Sequence, residues 1–177
     1  MKTYLTYGFY MALGSALVVF ALYFLGYHSE PSKLGTAQVI QSVCGLAIGV
    51  TCTVLGVKAR RAELPPTEDF GYGRALGAGV MITLFAALFG TVFNYVYAAF
   101  INPNLIEVMV QAQTAKFEAK GLSGEQIERA VGMMRGIMKP AIQSAFGFIA
   151  GMFFGTLISL VTAAFLKRTA ADEVVAA

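Results

Sequence analysis

The side chains in this sequence that could do chemistry within apolar surroundings are few and uncharged. Asn94, Tyr95, Tyr97 and Gln143, together with Gln38 and Gln41, fall inside otherwise hydrophobic runs. A polar group in hydrocarbon usually finds a hydrogen-bonding partner worth roughly 0.6 to 2 kcal/mol, because the alternative is an unsatisfied donor or acceptor. Such residues either tie helices together or line a polar pocket for a lipid head group or a small neutral solute. Asn94, Tyr95, Tyr97 and Gln143 form the candidate pocket. No ionisable Asp, Glu, Lys, Arg or His falls inside the same runs. Pumps, proton relays and voltage sensors place such groups there, so a proton-coupled transporter built from one copy is not expected.

Catalysis meets the same objection. His28 stands alone at an interface, and no HExxH, GxSxG or phosphate-loop motif occurs. Glu125 and Glu128 are one helical turn apart, the spacing of a solvated face. Cys44 and Cys52 lie about 12 Å apart along one helix, too far for a disulfide, which needs Cα atoms within about 7 Å. With one His in the chain, no zinc site of ordinary ligand count can be assembled within a subunit. The sequence is read as holding no catalytic residue, no metal ligand set and no cofactor site.

What positions the polar groups follows from where charge is missing. The 177 residues are 57% hydrophobic and 13% charged, with a mean hydropathy of +0.67, whereas soluble domains carry roughly 25% charged residues. All 13 Lys and Arg and all 10 Asp and Glu lie outside four runs at 5–27, 34–57, 75–101 and 140–166. Each run exceeds the roughly 20 residues that a helix needs to cross a hydrocarbon core of about 30 Å. The first is longer than a signal-peptide core and is not followed by a small-residue cleavage site. The expected fold is all-α: one membrane domain over 1–177, with four transmembrane helices.

Basic residues near helix ends tend to stay in the cytoplasm. With both termini inside, that side holds Lys2, Lys58, Arg60, Arg61, Arg74, Lys167 and Arg168. Only Lys33 and Lys139 flank spans on the other side, and the remaining basic residues sit within a long loop. Both termini are therefore expected in the cytoplasm. The net charge of +3 reflects topology, and no basic cluster interleaved with aromatics calls for nucleic acid.

The connection 27–33 is short enough only for a helical hairpin. The connection 58–74 contains Pro65 and Pro66, which stop a helix, and Phe70 and Tyr72, placed to anchor at the membrane interface. The third connection is long. Asn102, Pro103 and Asn104 end the third span; Asn104 with Glu107, and Ser123 with Gln126, have capping-box spacing, and Gly121 stands where a helix C′ glycine would. These signals define an extramembrane two-helix hairpin over about 104–138. Its second helix carries an apolar stripe at Ile127, Ala130, Val131, Met134, Ile137 and Met138. The face of Ile127, Val131, Met134 and Met138 can pack on the preceding helix, lie on the membrane surface or dock a partner protein. Pro140 then suits the first turn of the fourth span.

Glycines recur at four-residue spacing: Gly45 and Gly49, Gly73 and Gly77, and Gly147, Gly151 and Gly155. Such spacing lets helices approach closely in lipid. Gly45, Gly49, Gly147, Gly151 and Gly155 are the candidate packing positions, either within one chain or between two copies through the fourth helix.

Phe93-Asn94-Tyr95-Val96-Tyr97, then Phe100-Ile101-Asn102-Pro103, then Gly121-Leu122-Ser123 leading into Glu125-Gln126-Ile127-Glu128 form a set. It resembles an uncharacterised family of bacterial four-span membrane proteins known by a domain-of-unknown-function label and common in Bacteroidetes. The resemblance covers essentially the whole chain; it implies this fold and an inner-membrane location, and it brings no activity. The function expected is that of a small non-enzymatic accessory or scaffold subunit binding partner proteins or lipids. The alternative is a small oligomeric carrier or pore for a neutral solute or lipid. The partners expected are the lipid bilayer and a membrane protein or a second copy, with no nucleic acid.

Overall fold

A computed structural model describes residues 1–65 and 67–169. Pro66 and 170–177, with the C-terminus, lie outside the described residues. Six α-helices follow in order: α1 Lys2–Phe24, α2 Leu34–Ala62, α3 Tyr72–Val96, α4 Leu105–Ala119, α5 Gly124–Ile137 and α6 Pro140–Leu166. A π-helical turn, Tyr97–Ile101, continues α3. The helices α1, α2, α3 with its π turn, and α6 are long and apolar enough to cross a membrane. Their outer faces expose Phe9, Leu17, Val43, Phe153 and Phe165, the reverse of a soluble bundle and suited to a bilayer as solvent. The protein is an all-α polytopic membrane protein with four spans and a helical hairpin, α4–α5, between the third and fourth.

The α3–α6 contact is the most extensive in the bundle, and it rests on small side chains. A methyl group built on Gly79 would stand 2.6 Å from Ser159 Oγ, and one built on Gly155 would overlap Thr83. Each helix thus offers a glycine to the hydroxyl residue of the other. One turn on, a methyl group on Gly151 would meet Ala87 Cβ at an ordinary 3.9 Å, and one on Gly147 would meet nothing within 4 Å. Glycine-to-side-chain contact is tight at Gly79 and Gly155 and is absent at Gly147, nearer the hairpin.

Of the five glycines expected at helix contacts, Gly155 sits at a close approach, methyl groups on Gly49 and Gly151 would make ordinary contact at 3.5 Å with Ile158 and 3.9 Å with Ala87, and Gly45 and Gly147 face open space. Four-residue spacing fixes a shared face, but that face crosses from the seam into a cleft. Close approach also occurs at Gly8, where a methyl group would stand 2.6 Å from Phe85 Cβ, and at Gly56, where one would stand 2.5 Å from Ile82 Cδ1.

The closed end is fastened by the connection between α2 and α3. Phe70 and Arg168 exchange backbone hydrogen bonds at 2.9 Å, and the Arg168 guanidinium donates to the Pro65 and Glu68 carbonyls at 3.1 and 3.2 Å. Arg60 donates to the Tyr4 hydroxyl at 3.0 Å and lies over its ring. Phe70, expected at the membrane interface, is instead 1% exposed within a cluster that includes Val57, Ala75, Ile82 and Ala163. Its backbone pairing with Arg168 draws it inward. Tyr72 remains exposed and donates to the Leu160 carbonyl at 3.4 Å.

In the hairpin, α4 ends at Gly121, whose φ is +75. The Leu122 and Gly121 N–H groups donate to the Phe117 and Glu118 carbonyls at 3.2 and 2.9 Å, a Schellman pair. Ser123 and Gln126 form a reciprocal capping box. The first expected box does not form: Asn104 has helical backbone angles and no side-chain cap bond. Glu107 instead accepts from Arg135 at 2.9 Å, tying α4 to α5. Ile127, Val131, Met134 and Met138 are half-buried, and α4 is the principal neighbour of α5.

The seam predicts an asymmetry between glycines on one helix. Gly155→Leu should lower the unfolding free energy by roughly 1 to 3 kcal/mol through overpacking, whereas Gly147→Leu should stay within about 0.5 kcal/mol of the parent. Unfolding in mixed micelles followed by circular dichroism measures both.

Candidate functional site: a polar cleft in the hairpin half of the bundle

The site begins at the end of α1. Gly26 has φ +78, and the Tyr27 and Gly26 N–H groups donate to the Leu22 and Tyr23 carbonyls, both at 2.9 Å. This second Schellman turn folds the chain back over the helix end, and glycine is used because a Cβ is strained at that φ. His28 is thereby carried inward, where it is 4% exposed. Its Nδ1 lies 2.5 Å from the Tyr97 hydroxyl and its Nε2 lies 3.1 Å from the Gln41 amide nitrogen. The amide nitrogen donates, so Nε2 accepts, and a neutral imidazole then carries its hydrogen on Nδ1 and donates to Tyr97. Burial pushes the His28 pKa below its ordinary value, which favours that neutral form.

Tyr97 opens the π turn, in which the Asn102 N–H donates to the Tyr97 carbonyl five residues back at 2.8 Å. The wide turn brings the Asn102 side chain over Tyr97, and Nδ2 donates to the hydroxyl at 3.3 Å. π turns inside α-helices are frequent at functional sites. The Tyr97 oxygen accepts from both His28 and Asn102, which leaves its own O–H hydrogen for an acceptor outside the trio. Phe20, Tyr23 and Phe93 enclose the ring at centroid distances of 6.2, 6.0 and 6.0 Å. His28, expected alone at an interface, is therefore the partner of a residue 69 positions away. Sequence spacing carries no signal for such a pair.

Beside this group lies a chamber of about 460 Å³. Asn94, Tyr97 and Gln143 line it together with Gln38 and Gln41, and Leu105 and Met109 of α4 close it towards the hairpin. The amide side chains of Gln38, Asn94 and Gln143 make no hydrogen bond to any described residue. Tyr95 is not part of the chamber. It is 44% exposed and packs edge-on against Phe100 at 6.4 Å, because adjacent helical residues point about 100° apart.

A second chamber of about 310 Å³ shares Ser15, Gly90 and Asn94 with the first and continues between α3 and α6 past Gly147. Two hydroxyls on its wall, Thr83 and Ser144, are each 3% exposed and have no hydrogen-bond partner. A third space, an apolar groove of about 700 Å³ between α2 and α6, shares Gln41 in its lining with the first chamber and Gly45 with the second. Leu46, Val50, Leu157 and Val161 flank it and are exposed on the outer surface of the bundle. No Asp, Glu, Lys or Arg lines any of the three spaces. Among the described residues no three His, Cys, Asp or Glu side chains gather closely enough to hold a metal ion. Cys44 and Cys52 are free and half-buried.

Tyr97→Phe removes the acceptor for His28 and Asn102 and leaves two buried donors, which should cost roughly 1 to 3 kcal/mol of stability. The lowered His28 pKa has a defined sign: the unfolded chain takes up the proton more readily, so stability is full above about pH 6.5 and falls as the pH drops towards the native value. Thermal unfolding in detergent should show a lower midpoint at pH 5 than at pH 7.5, and the difference should shrink in His28→Gln.

No curated protein and no solved structure matches the chain. The family that does match spans residues 6–168 and is described as a protein of unknown function, DUF4199; the chain belongs to that family.

Proposed function

We propose that this protein is a non-enzymatic accessory subunit of the bacterial inner membrane, with both termini in the cytoplasm, that binds a lipid within its own bundle. The observation that carries the reading is an uncharged polar chamber that shares Gln41 in its wall with an apolar groove on the outer surface between α2 and α6. A bilayer lipid offers the matching combination, a head that needs hydrogen bonds and a chain that does not. Binding rather than catalysis suits the residues present. The chamber has no carboxylate, and both nitrogens of its imidazole are engaged. The α4 residues Leu105 and Met109 form part of the chamber wall, so an occupant would touch the hairpin that offers Met133 and Ile137 to a partner protein. The basic residues gathered around the Phe70–Arg168 fastening support the orientation.

One observation favours a second reading, a carrier for a neutral solute or lipid. The two inner chambers run from Thr83 to Tyr97, about 20 Å of helix. The Gly79–Ser159 and Gly155–Thr83 contacts close the other half, so passage would require the seam to open.

Native mass spectrometry of protein extracted in mild detergent tests the lipid reading. The parent should retain lipid, and Gly90→Phe, whose side chain would fill open space in the first chamber, should fold normally and lose most of it. A parent free of lipid, or a plugged variant that keeps its full complement, would refute the reading. Transport in proteoliposomes that disappears in Gly90→Phe would establish the carrier.

A further inference from the structure

The chemistry of the chamber wall restricts which lipid head can enter. Gln38, Asn94 and Gln143 each present an amide able both to donate and to accept, and none of the three is occupied by a described protein group. The Tyr97 hydroxyl, which lies 2.5 Å from His28 Nδ1 and accepts from Asn102 Nδ2, belongs to the same wall. The Ser144 hydroxyl, 3% exposed, lines the adjoining chamber without a partner. A buried hydroxyl left unpaired is costly, and an occupant that hydrogen-bonds there removes the cost. Every one of these groups is neutral.

We infer that the cleft selects a neutral amphiphile of the acylglycerol kind, with its hydroxyl and ester oxygens held by Asn94, Gln143 and Tyr97 and one acyl chain lying between α2 and α6. The inference rests on the lipid-binding reading above and adds the class of head. A phosphate-bearing head would bring an anion into a chamber lined by no Lys or Arg. Burying a charge without a counter-charge is far more costly than burying a hydroxyl that finds amide partners. His28 supplies no positive charge either, since its buried ring favours the neutral form. A cationic head fares no better, for no Asp or Glu lines the space. On the tail side, the single trench flanked by Leu46, Val50, Leu157 and Val161 accommodates one chain.

The test keeps the tail constant and changes the head. Full-length protein, delipidated in detergent, is mixed with equal amounts of 1-monooleoylglycerol, 1-oleoyl-lysophosphatidylglycerol and 1-oleoyl-lysophosphatidylcholine, and bound species are read by native mass spectrometry. The expected result is at least a tenfold preference for monooleoylglycerol, reduced several-fold in Asn94→Leu. Asn94→Lys, which places a cation in open chamber space, should turn the preference towards lysophosphatidylglycerol. Equal occupancy by all three probes, or a preference of the parent for either phosphate-bearing head, overturns the head inference and leaves the lipid cleft standing. Binding of none of the three overturns both.

Discussion

The structure depends on how closely α3 and α6 can approach, and on where that approach stops. Gly79 receives Ser159 and Gly155 receives Thr83, a reciprocal fit that brings two backbones together in a solvent where hydrophobicity gives helices no reason to associate. The same two helices continue with small residues, Ala87, Gly90, Gly147 and Gly151, but beyond Ala87 and Gly151 no contact of that kind is made. Small residues facing a matching side chain produce contact, and small residues facing one another across four helices produce volume. The fastening of Phe70 to Arg168 holds the contact end, and the hairpin half is left with a cleft that side chains do not fill.

That cleft is organised by a polar group built from three loosely connected pieces of chain. Gly26 turns His28 inward, the π turn swings Asn102 over Tyr97, and Gln41 reaches from α2. Aromatic rings around Tyr97 fix the phenol while its oxygen accepts two hydrogen bonds. The result is a polar corner at one end of the first chamber, with Leu105 and Met109 of α4 forming part of its wall. The arrangement gathers hydrogen-bonding groups without Asp, Glu, Lys or Arg, which is the property the proposed neutral ligand rests on.

Much of the fold was legible in the sequence because its strongest signals are physical exclusions. Charge cannot lie in hydrocarbon, so the uncharged runs mark the spans, and Gly121, Ser123 and Pro140 mark turns that few other residues could form. The candidate site was half legible. Asn94, Tyr97 and Gln143 were found because uncharged polar side chains at that depth need partners, and the structure places all three on one chamber. Tyr95 was grouped with them by adjacency alone, yet a phenol tolerates the outer surface and its ring pairs with Phe100. His28 was missed because its partner lies in another helix, and the Asn104 cap failed because Arg135, distant in sequence, claimed Glu107. Glycine spacing gave the face of α6 but not the depth of contact along it, since depth depends on the angle between two helices.

The loss of close α3–α6 contact beyond Ala87 and Gly151 decides whether the cleft exists, and disulfide trapping in native membranes tests it directly. In a background of Cys44→Ser and Cys52→Ser, Ala87→Cys with Gly151→Cys should oxidise to an intramolecular disulfide, because the Cβ positions stand 3.9 Å apart, within the bonding range of about 3.5 to 4.5 Å. Thr91→Cys with Gly147→Cys, one turn further along the cleft, should oxidise more slowly, because a Cβ on Gly147 meets no atom within 4 Å. Equal and rapid disulfide formation at both pairs would mean that the helices stay equally close along their length, and the cleft, with the lipid site proposed in it, would fall with that result.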